Sequence, residues 1–229
     1  MTSCRLTRVL AASIVAGAAL GLGAAAGYAV GAKGPVPQAL TEAESSAEDL
    51  VDAALGGDRG SVVSTAASLK ATANGSAAAA LARAHVPAAK VTQLKQRANR
   101  VARLSHNARL ITVALASNAV SQLMPGLYAY FRDPVPPTIG ALDYLDREAQ
   151  LRSLAHEPKQ VARAVKQLAP TWARVRAKVI AAGGAKQAAA FQKHVAAMQR
   201  LNPAAGKKVQ AEAVNGLNLV DELENVFRR

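Results

Sequence analysis

Cysteine is almost missing from this chain: Cys4 is the only one in 229 residues. A lone cysteine excludes an intrachain disulfide framework and any cysteine-based zinc site. No C-x-x-C-H occurs, so covalent haem attachment is excluded as well. Aromatic residues make up only 3% of the chain, and none is interleaved with its basic stretches. That speaks against base stacking on single-stranded nucleic acid. Short β-branched apolar runs are nearly absent, so no strand is expected. Walker loops, H-E-x-x-H and nucleophile elbows are all missing. Acidic residues are absent from whole regions, between Asp58 and Asp133 and again between Glu157 and Glu212.

What the chain does have begins at its N-terminus. Arg5 and Arg8 form a short positive segment, and residues 9–32 follow without a charge, almost all Ala, Gly, Val, Leu and Ile. Small residues at Ala24, Ala26, Val30 and Ala32 offer cleavage positions, the best of them after Ala32. This is the layout of a secretory signal. The run also exceeds the roughly 20 residues that cross a bilayer, so an uncleaved anchor is the alternative. Either way residues 1–32 place the rest outside the cytoplasm, in the periplasm or anchored in the cytoplasmic membrane facing outward. KGPVPQ opens a linker over 33–40.

Alanine dominates the remainder, and Gly and Pro gather at a few breaks, which favours helices. The expected fold is all-α, a tandem duplication of up-and-down four-helix units. The first unit covers 41–132, with helices near 41–56, 59–84, 88–104 and 107–131. The Pro-rich segment 133–137 is a stiff connector. The second unit covers 138–229, with helices near 138–155, 158–181, 185–201 and 207–227. Leu55, Val62 and Leu69 recur as Leu154, Val161 and Leu168. Leu123, Leu127 and Phe131 recur as Leu219, Leu223 and Phe227, at offsets that drift from 99 to 96. Val161, Val165, Leu168, Trp172, Val175 and Val179 form a heptad seam, with Val62, Ala66, Leu69, Ala73, Ser76 and Ala80 as its smaller counterpart. Asn74-Gly75 should break the second helix, Pro125-Gly126 the fourth, and Pro170 should kink the sixth.

The net charge is +13. The first helix of each unit is acidic and the next two are basic. Lys90, Lys95, Arg97, Arg100 and Arg103 form the densest basic cluster, a candidate for an anionic envelope component or an acidic protein. The arginines are expected to face outward from the Val91/Leu94/Ala98/Val101 seam. Export and the missing aromatics make nucleic acid an improbable partner. His194 and Met198 are four apart on one helical face and are the weak metal or non-covalent haem candidates, Met198 reading more simply as core. No cofactor and no catalytic residue is assigned. LDYLDRE (142–148) reads as a solvated, salt-bridged helix rather than a carboxylate site. His85, His106 and His156 fall at helix ends.

The stretches PVPPTIGALDYLDRE, TWARVRAKVIAAGG and NLVDELENVF resemble uncharacterised exported all-helical bacterial proteins. The resemblance implies export and a helical fold and carries no activity. The expected function is thus a non-enzymatic binding or scaffold module of the bacterial envelope. Residues 1–40 fused to a reporter active only outside the cytoplasm should give a signal. Intact mass of the exported protein separates cleavage near Ala32 from retention of the anchor.

Overall fold

Most of the described helices begin or end at a proline, a glycine or a left-handed residue. A computed structural model describes residues 33–229; residues 1–32, where a signal or anchor is expected, and with them Cys4, lie outside the described residues. The order is α1 (Gln38–Leu55), α2 (Arg59–Asn74), α3 (Ser76–Arg83), α4 (Ala88–Asn107), α5 (Leu110–Ser121), α6 (Met124–Tyr128), α7 (Pro137–Leu154), α8 (Pro158–Ala181), α9 (Ala185–Arg200) and α10 (Gly206–Phe227). Pro137 and Pro158 stand in first turns, where a missing N–H costs nothing. Asp58 caps α2 by accepting hydrogen bonds from the Ser61 backbone N–H at 3.0 Å and from its hydroxyl at 2.6 Å. Those bonds hold the Asp58 carboxyl below its usual range. Among the described residues there is no strand, only one isolated bridge between Pro35 and Arg132.

The expected breaks appear in altered form. α2 stops at Asn74 and α3 starts at Ser76, with Gly75 between them. The break resets the register, so Ala77 enters the core and Ser76 is exposed. Pro125 does not kink one long helix; it opens a new one, α6, after α5 has ended. α8 runs unbroken through Pro170, which is solvent-exposed. The first helix starts at 38, inside the expected linker.

Packing is cyclic in each half. α1 lies on α2, α2 on α4, α4 on α5 and α5 back on α1. α7 lies on α8, α8 on α9, α9 on α10 and α10 back on α7. The first hydrophobic cluster draws on α1–α6 and also takes Leu151 of α7. The second draws on α7–α10 and takes Val135. α5 and α6 pack on α7 and join the halves. The stretch Leu110–Tyr128 is apolar and long enough to cross a membrane. Here it is interrupted after α5 and packed against α1, α4 and α7.

α7 is buried on several sides. Ile139, Leu142, Leu145, Asp146, Arg147, Ala149, Leu151 and Ser153 are all buried. The expectation of a solvated LDYLDRE helix is therefore corrected, because α5, α6, α8 and α10 surround this helix. Burial opposes the charge of Arg147, but Asp143 at 3.1 Å and the field of Glu48 and Asp52 hold its guanidinium firmly protonated. Asn118 of α5 donates to Glu148 at 2.9 Å across the joint. Arg59 donates to the Ser105 and Ala108 carbonyls at 2.9 and 2.7 Å, placing a cation at the C-terminal end of α4.

Trp172 anchors the second cluster. It is 2% exposed, lies 4.9 Å from the Phe191 ring, and donates its indole N–H to Gln192 at 2.9 Å. Truncation of a buried aromatic typically costs about 3–5 kcal/mol through lost contacts and a cavity. Trp172→Ala should lower the unfolding free energy by about that amount in a urea titration.

Candidate functional site

Two places concentrate polar side chains, and they differ in their access to water. The first is buried. α7 brings Asp146, α9 brings His194 and α10 brings Glu212 to one point. His194 Nε2 stands 3.0 Å from Asp146 Oδ1, and its Nδ1 stands 2.8 Å from Glu212 Oε1. The side chains of His194 and Asp146 are fully buried, and that of Glu212 is partly open. Asn215 adds a hydrogen bond to Glu212 at 3.2 Å. The Phe191 ring packs edge-on to the imidazole at 5.2 Å. Burial pushes the Asp146 carboxyl up to about 6, against the opposing pull of His194. Burial alone would lower His194, but its hydrogen bonds and charge pairing, first with Asp146 and then with Glu212, outweigh that and raise it.

Gly216 makes this meeting possible. It sits in α10, one turn past Glu212, and is buried. A Cβ there would stand 2.5 Å from His194 Nε2 and closer still to Asp146 Oδ2. Only a residue without a side chain lets the helix approach the pair so closely.

This geometry bears on the metal candidates. Both ring nitrogens of His194 already face carboxylates, so neither is free for a metal or haem iron. Met198 is 1% exposed within the second hydrophobic cluster. Among the described residues no group of three or more His, Cys, Asp or Glu is arranged to hold a metal ion.

The second place is a surface groove of about 610 Å³ between α2 and α4. Val63, Ala67 and Ala102 give it apolar walls, and Lys70, Arg103 and His106 bring positive or titratable groups. None of its lining residues is acidic. Of the five basic residues expected to act together, the structure divides them. Lys90 donates to the Gly126 carbonyl at 3.3 Å and lies 5.5 Å from the Tyr130 ring centre. Arg97 is half-buried, donates to the Ala119 carbonyl, and reaches Gln122 Oε1 at 2.9 Å. It therefore does not face outward; it ties α4 to the end of α5. Burial lowers its affinity for a proton, with the nearby Tyr144 opposing. Lys95 is half-buried, and Arg100 and Arg103 are exposed. α1 and α4 stand at opposite corners of their four-helix ring, so the acidic α1 does not lie beside these arginines.

Lys70 and His106 were missed as partners of Arg103 because they belong to the groove only once α2 and α4 pack. His85 and His156 serve their helix ends through the backbone, both in left-handed conformation with φ of 54° and 57°. No family model matches the chain, and no curated protein and no solved structure matches it.

Gly216→Ala measures how tightly the buried cluster is built. In an open mid-helix site this change stabilises by about 0.5–1 kcal/mol. Here it should instead destabilise, by roughly 1–3 kcal/mol, as overpacking does. Chemical denaturation of the two proteins gives the sign directly.

Proposed function

We propose that the protein is an exported, non-enzymatic binding module of the bacterial envelope, built from two copies of a four-helix unit. In this reading it contacts an anionic envelope component through the basic groove between α2 and α4. The observation that carries the partner is the groove itself: Lys70, Arg103 and His106 line one concave surface with no acid in its lining. An acid-free basic concavity concentrates anions near it. The charged run-in and apolar segment of residues 1–32 support export. The closure of the His194–Asp146 cluster supports a reading in which that cluster is not a catalytic site. His194 and Asp146 are sealed from solvent, so a substrate cannot reach them.

The duplication draws support from matched helix ends. Gly57 and His156 are 99 residues apart and both left-handed; His85 and Gly183 are 98 apart and both left-handed. In all four, the next backbone N–H returns to a carbonyl five residues earlier. These bonds run from Asp58 to Ala53, Glu157 to Arg152, Val86 to Leu81 and Gly184 to Val179. This is the Schellman ending. It occurs at the end of the first and second helical segments of each proposed unit.

Vesicles of anionic phospholipid test the reading. The wild type should sediment with them at low salt, and less so as salt rises. Each basic residue near such a surface contributes about 1 kcal/mol. Lys70→Gln and Arg103→Gln together should weaken binding by more than about tenfold, with thermal unfolding unchanged. No binding by the wild type at low salt overturns the proposed partner.

A further inference from the structure

The imidazole of His194 bridges two carboxylates that come from two other helices. A neutral imidazole carries one N–H and one lone pair. Between two ionised carboxylates, one ring nitrogen would then set its lone pair against a carboxylate oxygen about 3 Å away. Both contacts are hydrogen bonds only if the Asp146–His194–Glu212 cluster holds one proton beyond a neutral imidazole and two ionised carboxylates. That proton can sit on the ring or on a carboxyl oxygen facing it; the count is the same. We propose that this cluster is a proton-dependent clamp. One bound proton fastens α9 to α7 and α10, and its loss as pH rises loosens the second half of the bundle.

Three further observations favour a clamp over an incidental ion pair. The contacts join three different helices, at separations of 48 and 18 residues in sequence. Asp146 Oδ2 is buried with no hydrogen-bond partner, so the carboxylate depends on His194 for its compensation. Gly216 packs against both groups, which leaves little room for either to turn away. The groups that act on His194 are Asp146 from α7 and Glu212 from α10. Asp146 in turn feels Asp143 and Glu212. α8, also packed on α9, contributes Trp172, which touches Phe191.

The sign follows from proton counting. His194 is raised in the fold, so its contribution is complete below the ordinary histidine value and is lost as pH rises through the folded one. Asp146 is also raised, to about 6, so the fold binds its proton more readily than the open chain does. Both groups make the folded state hold more protons, and both therefore favour it as pH falls, His194 from above the ordinary histidine value and Asp146 from about 6 towards its ordinary value.

α9 also lines the groove between α8 and α9 through Gln192, Val195 and Gln199, opposite Trp172 and Arg176. Loosening α9 would reshape that groove, and Trp172, the sole tryptophan, reports on it.

Side-chain nitrogen NMR of the wild-type protein across pH 5 to 9 tests the clamp. His194 should still hold its additional proton, or share it within the cluster, at pH values above the ordinary histidine range. The melting temperature of the wild type should rise as pH is lowered from 8.5 to 6, and Trp172 emission should shift to the blue. The double variant Asp146→Asn/His194→Gln removes both titrating groups of the pair and leaves the three exposed histidines in place, so it should flatten both trends. A cluster that loses its additional proton at or below the ordinary histidine value overturns the clamp. So does an unchanged slope in the double variant. Should that variant fail to fold, the wild-type titration alone decides.

Discussion

The burial of charge along α7 is the constraint on which the rest of the structure depends. A helix surrounded by four others would ordinarily be apolar, because removing an ionised group from water costs several kcal/mol. α7 carries Asp146 and Arg147 into that position. Each must therefore be met by a partner from its surroundings, and the partners set where the neighbouring helices lie. Asp146 needs His194, which fixes α9. His194 needs Glu212, which fixes α10 and requires Gly216 where the helices close. Arg147 needs the acids of its own helix and of α1, which draws the first half towards the same core. Hydrophobic packing could accept several registers of alanine-rich helices; paired buried charges accept few.

The two halves meet the same architectural demand with different side chains. The first packs many alanines and small residues around Leu50, Leu69, Leu81 and Leu94. The second uses Trp172, Phe191 and Met198. On the proposed repeat, Arg97 and His194 correspond, each on the third main helix of its unit and each reaching to the fourth. Arg97 takes a backbone carbonyl and Gln122 at the end of α5; His194 takes Glu212 within α10. On that proposed correspondence, the two residues tie helices together by hydrogen bonding to neutral groups in one half and by a shared proton in the other. Cations left over from such ties collect on exposed faces. The α2–α4 groove is where the apolar walls and those cations coincide.

Much of the helical layout was legible in the chain. The heptad seam of α8 survives as Val161, Leu168, Trp172, Val175 and Val179, because period and residue size both point the same way. Val165 is only half-buried, and Ala164 lies deeper. The breaks at Gly75 and Pro125 were visible because those residues restrict or free the backbone whatever surrounds them. The fate of LDYLDRE was not visible. Its charges look solvated in sequence, and only crowding by other helices buries them. His194 showed its i,i+4 neighbour Met198, yet its true partners lie 48 and 18 residues away.

The sequence by itself determined that the described chain is helical and where most of its helices stop, though not the end of α5. Those outcomes rest on local effects: alanine propensity, proline in first turns, and left-handed residues at helix ends. It also determined the segregation of charge, since composition is independent of folding. Tertiary structure alone decided which charges are buried and which are free. Arg97 and Arg103 are the same residue type six positions apart on one helix. One turns into the joint with α5 and the other lines an open groove, because helical rotation gives them different neighbours. The proton between Asp146 and His194 belongs to that same class of fact. It exists because three helices converge on one imidazole and exclude water there.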